Sequence, residues 1–230
     1  MKAISLQLVV FDMAGTTVDE DNVVYKTLQQ CITQQGVNVT LQTVLDIGAG
    51  QEKKQAIRDI LSAQGLEDTP LEETTERAYA AFIPALETAY HELHVKPMPG
   101  AAEVFSRLRK NGIRVALNTG YQRQTAEDLL QQLNWSVGRD IDLLVTADMV
   151  EQPRPAPDMI DYARQKLSIT APARVAKIGD SGIDIEEGQN AGCGLVLGIT
   201  TGAQNATQLE KAQPDGVIDQ LTELLDWIKL

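Results

Sequence analysis

Leu6-Gln7-Leu8-Val9-Val10-Phe11-Asp12-Met13-Ala14-Gly15-Thr16-Thr17 is the stretch on which the reading of this chain turns. Its first half is a short apolar run, which predicts a buried strand. The run stops at a carboxylate, followed by a glycine and two hydroxyls. In an open α/β sheet, ligands bind outside the carboxyl ends of the strands. Asp12 is therefore expected at the mouth of a crevice, on a rigid base.

Downstream, no segment between Thr17 and His94 reads as a strand. Residues 23–35 predict a helix with Val24, Leu28, Cys31 and Ile32 on one face, and 41–47 predict another. In 53–63, Ile57, Ile60 and Leu61 share a face and Gly65 stops the helix. Residues 71–90 space Ala78, Phe82, Ala85, Leu86 and Ala89 helically. These helices need one another to bury their faces. His91 and His94, at the far end, read as surface or hinge residues.

Lys96-Pro97-Met98-Pro99-Gly100 breaks the pattern and reads as a hinge. Beyond it the chain alternates. Helices are expected at 101–111, 125–133, 157–167, 184–191 and 221–228, and strands at 113–117, 142–146, 175–178 and 195–199. Such alternation predicts an α/β fold with a parallel sheet covered on both faces. The expected division is a core of 1–17 and 97–230, interrupted by an all-helical segment of 18–96.

The composition suits a core of this size, with 230 residues, 43% apolar and 23% charged. The net charge of −12 argues against non-specific binding to nucleic acid or to an anionic membrane. Cys31 and Cys193 are too few for a disulfide framework and read as buried free thiols. No apolar run reaches membrane-spanning length, and the first residues carry no signal-like run, so a cytoplasmic location is expected.

Three strand ends carry chemistry. The first delivers Asp12, the next Thr119 and Gly120, and a later one Asp180, with Asp184 four residues on. Carboxylates converging from distant sequence suit a hard divalent cation such as Mg²⁺, which prefers oxygen ligands. Thr119 and nearby backbone N–H groups could hold phosphate oxygens, and a Lys or Arg would neutralise a transferring phosphoryl group. Singly, each feature also has a plain structural reading: Asp12 as a turn residue, Thr119-Gly120 as a helix entry, Asp184 as a helix cap.

Four motifs in order, Asp-Met-Ala-Gly-Thr-Thr (12–17), Leu-Asn-Thr-Gly (117–120), Arg-Pro-Ala-Pro-Asp (154–158) and Gly-Asp-Ser-Gly-Ile-Asp (179–184), resemble the haloacid dehalogenase superfamily of hydrolases. The resemblance implies a Rossmann-like parallel-sheet core with an inserted, mobile, all-helical cap of the C1 type. It implies an aspartyl-phosphate on Asp12. Mg²⁺ would be held by Asp12, the backbone carbonyl of Ala14 and Asp180, with Asp184 orienting the site. Thr119 would bind phosphate, with Thr16 and Gly120 beside it, and Arg154 would balance its charge. A small phosphorylated or phosphonylated substrate and a homodimer are implied in the same way.

One position narrows the resemblance. Most phosphatases of this superfamily carry a second Asp two residues after the nucleophile, which moves the proton of the leaving group. Here that residue is Ala14. The Asp-x-Ala-Gly-Thr-Thr form resembles the phosphonoacetaldehyde hydrolase (phosphonatase) branch, which cleaves a C–P bond through a Schiff base on a cap lysine. Ala49-Gly50-Gln51-Glu52-Lys53 fits the Gly-x-x-Lys of that branch, and Tyr121 and Arg154 fit its pattern too. Ala56, Ala49 and Asn22 depart from it, standing where the branch has His, Met and Cys. From the residues alone, Lys53 reads as a solvated charge, because a nucleophilic lysine needs burial or a neighbouring cation. The expected activity is Mg²⁺-dependent hydrolysis of a small phosphonate or phosphate ester through Asp12, with phosphonoacetaldehyde and a Lys53 Schiff base as its narrower form. The alternatives are a phosphoglycolate-type phosphatase and a catalytically weak regulatory protein that binds a phospho-ligand.

Overall fold

A computed structural model describes residues 4–92 and 95–230; His94 and the side chain of His91 lie outside the described residues. The first strand, β1 (Leu8–Asp12), is buried along its whole length. Its side chains alternate between two cores, as a strand's period of two requires. Val9 and Phe11 join the larger core, whereas Leu8 and Val10 join a second one with Met159, Ile160 and Ala163. A strand covered on both faces has no solvent side to mark with polar residues, which is why this run is almost purely apolar.

After β1 comes β2 (Val18–Asp19), then four helices: α1 (Val23–Gln34), α2 (Leu41–Gly48), α3 (Lys53–Ala63) and α4 (Asp68–Glu92). The chain returns through β3 (Lys96–Pro97), which pairs antiparallel with β2. This ribbon corrects the expectation of no strand before His94. Two residues are too short for any periodic signal, and they pair because the chain leaves and re-enters the core at one place. The helices pack on one another through Leu28, Ile32, Ile57, Leu61, Ala78 and Phe82.

The alternating part follows with α5 (Ala101–Lys110), β4 (Arg114–Thr119), α6 (Arg123–Gln132), β5 (Leu143–Thr146), α7 (Asp158–Lys166), β6 (Val175–Gly179), α8 (Gly182–Asn190), β7 (Leu195–Ile199), α9 (Ala206–Glu210), β8 (Gly216–Ile218) and α10 (Leu224–Trp227). β1 and β4 to β8 form one parallel sheet of order β5-β4-β1-β6-β7-β8. Strand order reverses around β1, which places the switch-point crevice at its carboxyl end. α9 and the edge strand β8 are additions to the sequence reading. The helix expected at 221–228 is instead a 3₁₀ turn running into the one-turn α10. Cys31 is buried, but Cys193 is partly exposed, contrary to the expectation of two buried thiols. Among the described residues, no helix is long and apolar enough to cross a membrane.

Candidate active site

The strand ends meet as the switch point dictates. Asp12 closes β1, Asp180 follows β6, and Asp184 lies in the first turn of α8. Carboxylate oxygens of all three lie within 4.8 Å of one another, and all three side chains are buried. Burial, then repulsion from Asp184, pushes the Asp12 carboxyl up against the pull of Arg154 and Lys177. Asp180 is pushed up by burial and by both other carboxylates. Burial also acts on Asp184, but Arg154 and Lys177 together hold its carboxyl below the usual range.

Two buried cations thread this cluster. Arg154 Nη1 lies 2.7 Å from Asp12 Oδ1 and 2.8 Å from Asp184 Oδ1. Its Nη2 donates to the carbonyl and side-chain oxygens of Asn118. Arg154 Nε faces Glu187 Oε2 at 3.1 Å as a charge pair, without the alignment of a hydrogen bond. Lys177, fully buried in β6, reaches Asp184 at 2.9 Å and Glu187 at 3.0 Å, and it donates to Asn118 Oδ1. Asn118 in turn donates to Glu187 Oε1 at 2.7 Å.

Asp12, Asp180, Asp184 and Glu187 thus outnumber Arg154 and Lys177 by two negative charges. The one hydrogen bond given to the Asp180 carboxylate among the described residues comes from the Ala203 N–H. A side chain on Gly15, whose φ is +76°, would run into Asp180, so the glycine lets the loop after β1 close against that carboxylate. A buried, all-oxygen donor set with two surplus negative charges fits a hard divalent cation. Ala14, two residues past Asp12, is partly buried beside this set.

The helical segment supplies the opposite wall. Lys53, the first residue of α3, is 8% exposed. Its Nζ donates to the Gln51 carbonyl at 2.8 Å and lies 5.3 Å from the centre of the Tyr25 ring. Among the described residues no carboxylate oxygen lies within 4.0 Å of it. Burial lowers the Lys53 pKa and the Arg154 charge adds to this, against the opposing pull of Asp12, Glu20 and Glu52. The solvated surface charge expected from the residues alone is not what the structure places here.

This wall closes tightly on the core. The Gly50 N–H donates to Tyr25 Oη at 3.2 Å. Gly50 has a φ of +75°, and a side chain there would strike Ser181 and Ile183 of the core. Opposite it, Gly120 faces the Gln51 carbonyl, which would lie 3.3 Å from an added Cβ. The Thr16 hydroxyl is buried without a hydrogen-bond partner among the described residues. Thr119 Oγ1 accepts the Tyr121 N–H, which leaves its own proton free to donate. Tyr121 is buried, with its hydroxyl 2.8 Å from that of Tyr90.

The cluster therefore gathers Asp12, Arg154, Asp180 and Asp184, with Thr16, Thr119, Gly120, Tyr121 and Lys53 supplied by the loops and cap around it. Ala49 and Ala56 are buried inside the cap, where Ala56 packs against Gly48. Asn118, Lys177, Glu187 and Glu20 were not singled out from the sequence. Lys177 and Glu187 each had a signal, a lysine inside the apolar run 175–178 and a glutamate one helical turn after Asp184, and Asn118 lay within the motif at 117–120, whereas Glu20 had none.

Residues 9–211 match the family model described as haloacid dehalogenase-like hydrolase. The phosphonoacetaldehyde hydrolase of Bacillus cereus is 28% identical over 236 residues, covering 97% of this chain and 87% of that protein. A bifunctional phosphonoacetaldehyde hydrolase/aminoethylphosphonate transaminase of Clostridioides difficile is 30% identical over 81% of this chain, which spans 30% of its length. A solved phosphonoacetaldehyde hydrolase-like protein from Oleispira antarctica superposes with a TM-score of 0.82 at 25% identity, covering 97% of this chain and 91% of that one.

Proposed function

The chain belongs to the haloacid dehalogenase-like hydrolases, and from that premise we propose that it hydrolyses a small phosphonate carrying an aldehyde, with phosphonoacetaldehyde as the test compound. The observation that carries this reading is Lys53, buried against the cluster of Asp12 with no carboxylate paired to its amine. An amine condenses with a carbonyl only when neutral, and desolvation beside another cation favours the neutral form.

In this reading Asp12 is the nucleophile, held by β1 and oriented by the Arg154 guanidinium. Mg²⁺ would be held by the oxygens of Asp12, Asp180 and Asp184 together with the Ala14 carbonyl, and when bound it would reduce the repulsion between Asp12 and an anionic substrate. Thr119 and the unpartnered Thr16 hydroxyl donate to phosphoryl oxygens, with the main chain of Gly120 alongside. Lys53 holds the aldehyde end as an imine, an electron sink for the carbon that leaves phosphorus. A carbon leaving group attached to such a sink does not need the carboxylate missing at Ala14 for the cleavage itself. Closure of Gly50 and Gln51 over Gly120 excludes water while the imine persists.

The test is release of inorganic phosphate from phosphonoacetaldehyde with Mg²⁺ present. Asp12→Asn is expected to lower turnover at least about 10³-fold with unchanged circular dichroism. Full activity in Asp12→Asn would reject the assignment.

A further inference from the structure

The neck between cap and core holds a buried acid that the proposed reaction leaves unused. Glu20, between β2 and α1, is 2% exposed. Among the described residues no Lys or Arg nitrogen lies within 4.0 Å of its carboxylate. Its Oε2 accepts the Tyr90 hydroxyl at 3.0 Å and the Val24 N–H at 3.3 Å. The Tyr90 oxygen also lies 2.8 Å from that of Tyr121. The three residues come from three places: the neck, the last turns of α4, and the loop that follows Thr119 at the end of β4.

A phenol has one proton, so Tyr90 donates to only one of its two partners. Two arrangements satisfy the chain. With Glu20 ionised, Tyr90 donates to Glu20 and Tyr121 donates to Tyr90. With Glu20 protonated, its O–H donates to Tyr90 and Tyr90 donates to Tyr121. In the second case the Tyr121 proton has no protein partner among the described residues and is available to a ligand.

We propose that Glu20 is a positioning residue whose protonation turns the Tyr90–Tyr121 chain, so that the Tyr121 hydroxyl is freed to donate a hydrogen bond to the substrate. The proposal rests on the cleft between Lys53 and Asp12 being the site. No net proton transfer is required: the proton of Glu20 stays within the chain, and Tyr121 acts as a hydrogen-bond donor.

The charged and titratable groups around Glu20 place its change of state in a useful range. They are Tyr25, Tyr90, Tyr121, Lys53 and Asp12. Burial is the largest influence and pushes the carboxyl up to about 7; Tyr90, the Val24 N–H and Lys53 oppose it, and Asp12 adds to it. Burial holds Tyr90 and Tyr121 well above the ordinary tyrosine range, so both remain neutral donors.

Two measurements on the full chain test this. The first follows the ring carbon bearing the hydroxyl in ¹³C-labelled tyrosine by NMR. The Tyr121 resonance is expected to shift with a midpoint near 7, and both Glu20→Gln and Tyr90→Phe are expected to abolish that shift. The second is the pH profile of phosphonoacetaldehyde turnover. Above the Glu20 midpoint the wild type is expected to lose about tenfold per pH unit, a falling limb that Glu20→Gln lacks. A Tyr121 resonance indifferent to Glu20, or a falling limb that persists in Glu20→Gln, would overturn the proposal. A shift that behaves as expected in a protein that leaves phosphonoacetaldehyde intact rejects the substrate reading and supports the switch.

Discussion

Lys53 and Lys54 are adjacent in sequence and meet opposite surroundings, because one residue on a helix is a rotation of about 100°. Lys54 points outward and pairs with Glu76 at 2.6 Å, whereas Lys53 turns into the cleft toward Asp12. The chemistry of the two residues does not distinguish them, and only the Gly-x-x-Lys spacing from Gly50 singled out Lys53. Glu20 was hidden in the same way, since it stands between Asp19 and Asp21 in a run that reads as solvated. Lys177 matters for a different reason. It is one of two cations that hold Asp184 and Glu187 within a fully buried cluster. Removing one partner of a buried ion pair typically costs about 3–5 kcal/mol. Lys177→Met is therefore expected to lower stability by about that amount in urea unfolding, and a loss below about 1 kcal/mol would contradict the assigned network.

At the scale of elements, the N-terminus of α3 is the part that meets the core. Glu52 caps it through the N–H groups of Lys54 and Gln55, which fixes where Lys53 begins the helix. Gly50, two residues earlier, lets the loop press on Ser181 and Ile183. In Gly50→Ala the left-handed backbone alone costs about 1–2 kcal/mol. The added methyl also lifts the loop off the core, and a displacement of about 1 Å in a reacting group can cost about 10²-fold in rate. Turnover of phosphonoacetaldehyde is thus expected to fall far more than stability does; an unchanged kcat/KM would show that this contact does not set the closed geometry. The long helices were legible from their 3.6-residue period, and the central strands from short apolar runs that stop at Gly, Asp or Thr. The ribbon of β2 and β3 and the edge strand β8 were not, because two or three residues carry no period. α9 had a readable start in Asn205 and Gln208, whose side chains form a reciprocal capping box. The helix expected at 221–228 was over-read, since Leu221 and Leu224 are buried from a 3₁₀ turn and the single turn α10.

For the molecule as a whole, the sheet order and the chemistry are one arrangement. Reversal of strand order at β1 brings Asp12, Thr119 and Asp180 to one crevice from three distant stretches, and the motifs at those strand ends made that convergence legible. The cap enters and leaves through a single two-residue ribbon, so the wall carrying Lys53 is tied to the core at its neck and otherwise meets it by contact. The overall charge of −12 surrounds a site whose own anions are only partly offset by Arg154 and Lys177. That imbalance suits a cation and a substrate bound together rather than an anion alone. Condensation of Lys53 with the substrate carbonyl is read out by borohydride reduction of the protein with phosphonoacetaldehyde, followed by peptide mass mapping. A reduced two-carbon adduct is expected on Lys53 and not on Lys54, and it is expected to be absent from Lys53→Ala. An unmodified Lys53 in protein that is turning over phosphonoacetaldehyde would contradict it.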